Sequence, residues 1–345
     1  NQILPITKLS EDYYLPLPKA PQIIRIDPNL TLLAKISFEP PTTQIHAQLA
    51  DPNDSLGRQL AVEILAKRKD KTTVEKLKQT LNNDSFYGVR IAASRALRSI
   101  ASEAAYSALT ESTKQSNAKV RLQVVSDIAS QPKPNALPHL KRILSSEKNP
   151  SIIARAIGGL AGHDDRETNK LINQALGQKS FRNQIVDAAI GALRKQDKPT
   201  NISKIRTLVV EDDNAFTTNG YANALRAIAF LGRNQKNKTS LREFFVNHIQ
   251  NPKLRVALAA IESLGQLGDP KAIAVLEKFT NNAEDDPSRK AAEEAIEKIR
   301  AGRKPADDYK NLRKEVTNLK QSNSKLTNEL NTLKKRFEAV LDKKL

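Results

Sequence analysis

The sequence predicts an all-α solenoid of about eight stacked helix pairs, preceded by a short β segment and followed by a long coiled-coil helix. Three observations carry this prediction. An alanine-rich stretch that opens with an arginine returns along most of the chain. Short Pro-bounded apolar stretches come before it, and a heptad pattern of apolar residues comes after it. We therefore place domain boundaries at 1–42 (β segment), 43–302 (solenoid) and 303–345 (linker and coiled-coil helix).

Each repeat has the pattern of two amphipathic helices. A first helix, such as 73–82 or 270–281, has apolar residues at i, i+3, i+4 and i+7. A polar turn and an alanine-rich second helix follow. A helix pair with one apolar face cannot bury that face alone, so the pairs stack around a continuous core. The second helices are predicted near 57–67, 88–100, 118–129, 151–161, 183–194, 220–231, 254–264 and 288–300.

The stacked helix pairs indicate a HEAT-type α-solenoid, in which the repeat is a pair of helices. Arg58, Arg90, Arg121 and Arg155 lie 32, 31 and 34 residues apart. We interpret these side chains as structural, because each can pair with an Asp or Asn of its own or the neighbouring turn, with Asp54, Asp84 and Asp286 as candidate partners. The alternative is a ladder of arginines that binds a ligand. The six predicted repeat arginines are Arg58, Arg90, Arg121, Arg155, Arg255 and Arg289.

The first forty residues lack the helical period. The stretches DYYLPLP and PQIIRIDPNL are Pro-bounded and rich in Ile, Leu and Tyr, as strands are. Two strands alone do not form a stable sheet. They therefore either dock on the solenoid or are the last strands of an upstream β-domain. The sequence begins at Asn1 and contains no methionine, so we expect an upstream part.

The C-terminal residues predict a coiled coil. Their apolar positions alternate at spacings of three and four residues over more than four heptads. A single Asn among the a positions is the feature that sets register in two-stranded coiled coils. The alternative is an amphipathic helix folded back on the last repeat. The predicted interface is Leu312, Val316, Leu319, Asn323, Leu326, Leu330, Leu333, Phe337 and Val340.

The amino-acid composition limits the kinds of partner that this chain is expected to bind. The net charge of +18 suits a polyanion binder. Because the basic residues are spread over every repeat, nucleic acid is a possible partner but not the favoured one.

No run of eighteen apolar residues occurs, so we predict no transmembrane helix. The N-terminus has no signal-peptide pattern. The compartment stays open, with the cytoplasm favoured.

No catalytic constellation is present in the sequence. The four histidines, His46, His139, His163 and His248, are far apart, and there is no cysteine. H-E-x-x-H, G-x-S-x-G, a P-loop and G-x-G-x-x-G are all missing. We therefore predict no catalytic, metal-binding or cofactor-binding residue in this chain.

The order of features resembles the C-terminal part of zinc metallopeptidases of the aminopeptidase N type. In that family a β-sandwich ends with a strand, a DP turn follows, and a HEAT-like helical domain comes next. Residues 13–38 (YYLPLPKAPQIIRIDPNLTLLAKISF) resemble this junction. Residues 48–68 and 81–100 resemble the first helical repeats, and 267–279 and 291–305 resemble the closing repeat.

The resemblance implies a helical domain that covers an active site and shapes a peptide chamber. The family's catalysis needs G-x-M-E-N and H-E-x-x-H with a downstream Glu. Neither motif occurs here, so no catalytic residue is carried over, and zinc is expected only in an upstream catalytic domain. The full-length protein would then be a zinc aminopeptidase, while this chain is not an enzyme.

The prediction is a noncatalytic scaffold or lid domain with protein or peptide partners, which self-associates through its coiled coil. Two alternatives stay open. One is a free-standing HEAT scaffold for protein–protein interaction. The other is a basic HEAT protein that binds nucleic acid.

Overall fold

The computed structural model describes residues 2–130, 136–161, 163, 165–211, 216–302, 315–316, 318–323 and 325–334. Within these residues the chain is all-α, as predicted, and contains no β-strand. Leu312, Phe337 and Val340 of the predicted coiled-coil interface lie outside the described residues. The described part of the tail is helical at 315–316, 318–323 and 325–334.

Eight helix pairs follow one another between Thr42 and Ala301, which confirms the predicted number. Short 3-10 helices at Phe181–Asn183, Pro199–Asn201 and Pro270–Ala272 come directly before three of the α-helices. The pairs are α1 (Thr42–Ala50) with α2 (Ser55–Leu65), α3 (Lys71–Asn83) with α4 (Tyr87–Ile100), α5 (Glu103–Glu111) with α6 (Ala118–Ala129), α7 (Ala136–Ser146) with α8 (Pro150–Leu160), α9 (Arg166–Leu176) with α10 (Gln184–Gln196), α11 (Ile202–Glu211) with α12 (Thr218–Gly232), α13 (Thr239–Ile249) with α14 (Leu254–Leu267), and α15 (Ile273–Leu276) with α16 (Pro287–Ala301).

The first helix of the last pair is shorter than predicted. The sequence pattern indicated one helix over 270–281, whereas α15 ends at Leu276. Beyond that point the backbone bonds tighten, with Phe279 N donating to Leu276 O at 3.0 Å and Thr280 N to Glu277 O at 3.3 Å. These bonds between residues three apart replace the α-helical ones.

Polar residues in the turns between helices act as N-caps. Asp54, Asp70 and Ser102 each accept a hydrogen bond from the backbone N–H three residues on, at Gly57, Thr73 and Ala105. Such a bond satisfies one of the four unpaired N–H groups at a helix start and contributes about 1 kcal/mol. The residue types that mark the turns in the sequence are therefore those that start the next helix.

One apolar core position recurs near the end of the first seven second helices. These side chains are at most 1% exposed. Second helices pack directly on one another, α2 on α4, α4 on α6, α6 on α8 and α8 on α10 in one unit, and α12 on α14 and α14 on α16 in another. The recurring core residues are Leu65, Leu97, Ile128, Leu160, Leu193, Leu231 and Leu264.

The chain divides into two compact units, Asn1–Gln196 and Asp197–Leu345. The first contains helix pairs one to five and the second contains pairs six to eight with the tail. Each unit buries its own row of second helices. The predicted boundaries near 42 and 302 remain predictions.

The predicted N-terminal strands are wrong for the described residues, since 2–41 form no strand. Strand pairing needs a partner strand, and no strand lies beside this segment. The segment instead docks on the first helix pair, because Gln44 Nε2 donates to Pro21 O at 3.0 Å and Arg25 forms an ion pair with Asp54. Docking was one of the two alternatives that the sequence left open.

Two adjacent glycines in α8 allow a matched test of the close helix packing. A Cβ at Gly159 would lie 2.7 Å from Ala129 Cβ on α6, whereas a Cβ at Gly158 meets no atom within 4 Å. We expect Gly159→Ala to destabilise the protein by about 1 to 3 kcal/mol, because the added atom forces α6 and α8 apart.

Gly158→Ala is the control and is expected to stabilise by up to about 1 kcal/mol, because alanine favours the helix. Urea unfolding followed by circular dichroism measures both variants. Equal effects of the two substitutions would contradict the packing argument.

Candidate functional site

Three of the predicted arginines occupy one structural position. Arg58, Arg90 and Arg121 are each the fourth residue of a second helix, in α2, α4 and α6. Each reaches the turn within the next helix pair. There Arg58 contacts Asp84, Arg90 contacts Gln115, and Arg121 contacts Glu147.

The Arg58 pair is the most buried of the three. Its Nε lies 2.7 Å from Asp84 Oδ2, and the two side chains are 5% and 7% exposed. Its NH1 group also donates to Asp51 O at 2.7 Å. Arg121 Nε donates to Glu147 Oε2 at 2.9 Å, and its NH1 group donates to Gln115 O at 2.8 Å. Each guanidinium thus joins its own turn to the turn of the following pair.

The other three predicted arginines do not share this geometry. Arg155 is the sixth residue of α8 and Arg255 is the second residue of α14, and both are exposed. Neither makes an ion pair or hydrogen bond to any described residue. Arg289 bonds within its own repeat, to Glu293 Oε1 at 3.0 Å and Asn282 O at 3.3 Å.

Two of the suggested carboxylate partners also differ from expectation. Asp54 caps α2 and binds Arg25. Asp286 caps α16 and accepts a bond from Asn282 Nδ2 at 3.0 Å. Of the three suggested partners, Asp84 alone pairs with a repeat arginine.

An open groove of about 700 Å³ runs along the second helices α6, α8 and α10. Small residues line much of it, including Ala154, Gly158, Ala188 and Gly191. A Cβ at Gly158 or Gly191 would meet no atom within 4 Å, so the backbone is accessible there. Hydroxyl groups border the small residues, at Ser126, Ser130 and Ser151.

We call this site the second-helix groove. Its charged members are Arg155 on α8 and Asp187 and Lys195 on α10. Arg155 and Lys195 are exposed, and neither pairs with a carboxylate among the described residues. The groove therefore presents two uncompensated cations above a narrow surface of small side chains.

Asp187 is a polar residue of the groove with a buried atom that lacks a hydrogen-bond partner. Its Oδ1 atom is buried and accepts no hydrogen bond from any described residue. Burial raises the pKa of Asp187 to about 6 from its usual value of 3.8, because the charged form loses hydration. Asp187 is also the fourth residue of α10, the position that carries arginine in α2, α4 and α6.

The wall next to the groove contains a second buried carboxylate, which is satisfied. Asp127 on α6 is 1% exposed and accepts bonds from Ser94 Oγ at 2.7 Å and Gln123 Nε2 at 3.0 Å. Arg98 Nε lies 3.4 Å from its Oδ1. Burial raises the pKa of Asp127 in spite of these partners.

The histidines that lie in described helices belong to no candidate metal site. His46, His139 and His248 lie in α1, α7 and α13. His248 is held by Tyr221 OH at 2.9 Å and Phe244 O at 2.7 Å. In the described part of the chain no three His, Cys, Asp or Glu side chains are placed to hold a metal ion. None of its helices has both the length and the apolar character of a membrane span.

The stacked helix pairs define a HEAT-repeat α-solenoid. The family model for HEAT repeats matches residues 42–129 and 218–297. The first range contains helix pairs one to three. The second range contains α12, α13, α14 and α15 and most of α16. The second-helix groove lies mostly between the two matched ranges.

The solved structures that are similar to this chain include the following two. One is human deoxyhypusine hydroxylase in complex with glycerol, 15% identical, with a TM-score of 0.33 over 70% of this chain and 99% of that one. The other is the complex of CpcE and CpcF of phycocyanin lyase from Nostoc sp. PCC7120, 16% identical, with a TM-score of 0.33 over 78% of this chain and 98% of that one. At these scores neither likeness bears on function. No curated protein matches the chain.

The buried arginine pair gives a test of the structural interpretation. We expect Arg58→Met to destabilise the protein by about 3 kcal/mol, because Asp84 is left buried without its cation. Arg255→Met removes an exposed arginine of the same sequence pattern and is expected to change stability by less than about 0.5 kcal/mol. Urea midpoints of both variants measure the difference. Similar small losses would show that the buried pair is not needed for stability.

Asp187 makes stability depend on pH. A raised pKa in the folded state contributes stability that is present below about 3.8 and lost as the pH rises through about 6. We therefore expect Asp187→Asn to be more stable than the parent at pH 7.5, with no advantage at pH 4. The full shift corresponds to about 3 kcal/mol, and solvent in the open groove reduces the expected gain to about 1 to 2 kcal/mol.

Thermal unfolding across this pH range measures the Asp187 effect. Asp285→Asn is the control, because Asp285 is exposed in the turn before α16. A gain in Asp187→Asn that stays constant with pH would contradict the buried-charge explanation.

Proposed function

We propose that this chain is a noncatalytic scaffold whose second-helix groove binds an acidic segment of a partner protein. The observation that carries the proposal is the pair of uncompensated cations, Arg155 and Lys195, beside accessible backbone at Gly158 and Gly191. Solenoids of stacked repeats present extended surfaces of this kind to protein partners.

The chemistry of the groove supports an acidic peptide as the occupant. The small residues allow another backbone to approach α8 and α10 closely, and Ser126, Ser130 and Ser151 supply hydroxyl groups to it. Acidic side chains would pair with Arg155 and Lys195, which lose little hydration at an open site. A carboxylate bound nearby would raise the pKa of Asp187 further, which favours the protonated form that can donate a hydrogen bond to that carboxylate.

A nucleic acid is less well supported as the occupant. Tight phosphate binding requires several lysines and arginines along the ligand's path. The groove offers two cations, Arg155 and Lys195. Neither aromatic stacking residues nor a run of cations lines it.

The resemblance to aminopeptidases supports a finer version of the proposal. In that version the scaffold is the helical lid domain of an aminopeptidase N-like protein and admits peptides to a chamber. The docking of residues 21–27 on α1 and α2, through Gln44 and Arg25, suits the connection that such a domain needs. Zinc and the catalytic residues would belong to another domain.

The proposal also includes self-association through the C-terminal coiled coil. The exposed apolar residues Val316, Leu319, Leu326, Leu330 and Leu333 support it. Two copies would present two second-helix grooves to one partner, which raises the overall affinity for a partner with two acidic segments.

A charge-reversal pair tests the groove. We expect Arg155→Glu with Lys195→Glu to weaken binding of a fluorescein-labelled peptide of alternating glutamate and alanine by about tenfold, because both attractive contacts become repulsive. The matched control is Lys253→Glu with Arg255→Glu, which changes the net charge equally at two exposed positions, the N-cap and the second residue of α14. It should change the affinity less than about twofold. Fluorescence anisotropy of the full chain measures both.

Equal losses in the two double variants would mean that diffuse net charge attracts the peptide, and the groove would be excluded. A labelled oligothymidylate gives the second comparison. If it binds more tightly than the peptide, with a steep salt dependence, the protein-binding proposal is wrong and the nucleic-acid alternative stands.

A further inference from the structure

The tail helix leaves one apolar stripe without a partner. Val316, Leu319, Leu326, Leu330 and Leu333 are between 44% and 66% exposed. The described repeats do not cover these side chains, so the described tail does not adopt the folded-back arrangement. A soluble chain rarely leaves so regular an apolar row in water, and its spacing of three and four residues fits another helix.

The stripe contains one polar residue in its middle. Val316, Asn323 and Leu330 occupy successive a positions, and Leu319, Leu326 and Leu333 occupy the d positions. In a parallel pair of helices an a position faces the same residue of the partner. Asn323 would then meet Asn323 of the second copy, and the two amides would bond to each other. An antiparallel pair that aligns all six a and d positions would place Asn323 opposite Leu326. The bond between the two amides would then be lost.

The charges that flank the stripe favour the same orientation. Glu315 and Glu329 occupy g positions, and Lys320 and Lys334 occupy the e positions five residues further on. In a parallel in-register pair each g residue faces the e residue of the next heptad in the other chain. Glu315 then faces Lys320, and Glu329 faces Lys334, with opposite charge in every case. In an antiparallel pair g residues face g residues and e residues face e residues, so Glu315 and Glu329 would lie on one flank of the interface and Lys320 and Lys334 on the other.

We infer that a second copy of this chain covers the stripe as a parallel, in-register, two-stranded coiled coil. The inference rests on the self-association proposed above and adds its orientation and register. Both solenoids then join the coiled coil at the same end, so the two repeat arrays lie on one side of the dimer.

The absence of cysteine from the sequence makes a single introduced thiol an unambiguous test. In the full chain, Leu333→Cys brings two thiols together at one d layer of the parallel pair, within the reach of a disulfide. We expect mild oxidation to link most of this variant into dimers. In the antiparallel pair the two thiols would be about 25 Å apart, and a mixture of Val316→Cys and Leu333→Cys chains would form the linked species instead.

Light scattering on the unmodified chain tests self-association separately from the parallel orientation of the two helices. A dimer mass that falls to a monomer mass on deletion of 307–345, together with linked Leu333→Cys, supports both. A dimer that links only in the mixed sample keeps self-association and overturns the parallel orientation. A monomer mass for the full chain overturns self-association, and a trimer or tetramer mass overturns the two-stranded arrangement.

A charge swap tests register without a thiol. Glu329→Lys is expected to raise the dissociation constant of the dimer about fivefold, because two attractive pairs become repulsive. Adding Lys334→Glu to the same chain restores opposite charges across the parallel interface and should restore the affinity. Failure of the second substitution to rescue the first would overturn the predicted pairing.

Discussion

Close packing of one second helix on the next is the contact on which the structure depends. Each helix pair has one apolar face, and that face is buried only when a neighbouring pair is present. Small residues make the contact close, as at Gly159 against Ala129 and Gly265 against Ala295. The distance between neighbouring second helices recurs along the chain. It sets the positions of the core leucines and isoleucines, of the capped turns and of the arginine contacts.

Much of the fold could be predicted because helical periodicity is a local property. Residues such as Leu97 and Leu264 recur with the repeat, and both are fully buried. The N-terminal segment was predicted less well. Pro-bounded stretches rich in Ile, Leu and Tyr are typical of strands, but an extended segment docked on helices can have the same composition. Such a segment forms a strand only when a second strand lies beside it. Whether that second strand is present is not a local property of the sequence.

The candidate site could be predicted only in part. Arg58, Arg90 and Arg121 share one position, whereas Arg155 was included on spacing alone and lies two residues further along its helix. Turn lengths vary by a residue or two, and two residues rotate a side chain by about 200° around a helix. The pattern therefore could not distinguish a side chain in a turn contact from one in an open groove.

The importance of Asp187 and Lys195 was missed for a different reason. The raised pKa of Asp187 comes from burial, and the significance of Lys195 comes from the lack of a nearby carboxylate. Both depend on neighbours that the fold brings together. Aligning the fourth residue of every second helix would have drawn attention to Asp187, because it replaces an arginine there.

The row of fourth residues has a mechanical consequence. Arg58, Arg90 and Arg121 each tie one turn to the next, but α8 has Ile153 at this position and α10 has Asp187. The row of arginine contacts thus ends at the turn before α8. The first four pairs are tied by these directional bonds, whereas the fourth and fifth pairs are joined by the Ser151–Gln184 hydrogen bond and the Lys141–Glu167 ion pair. A ligand that separates α8 from α10 would break none of the arginine contacts, whereas separation of α6 from α8 would strain the Arg121–Glu147 ion pair. We therefore expect this unit to bend more easily on the α10 side of the groove.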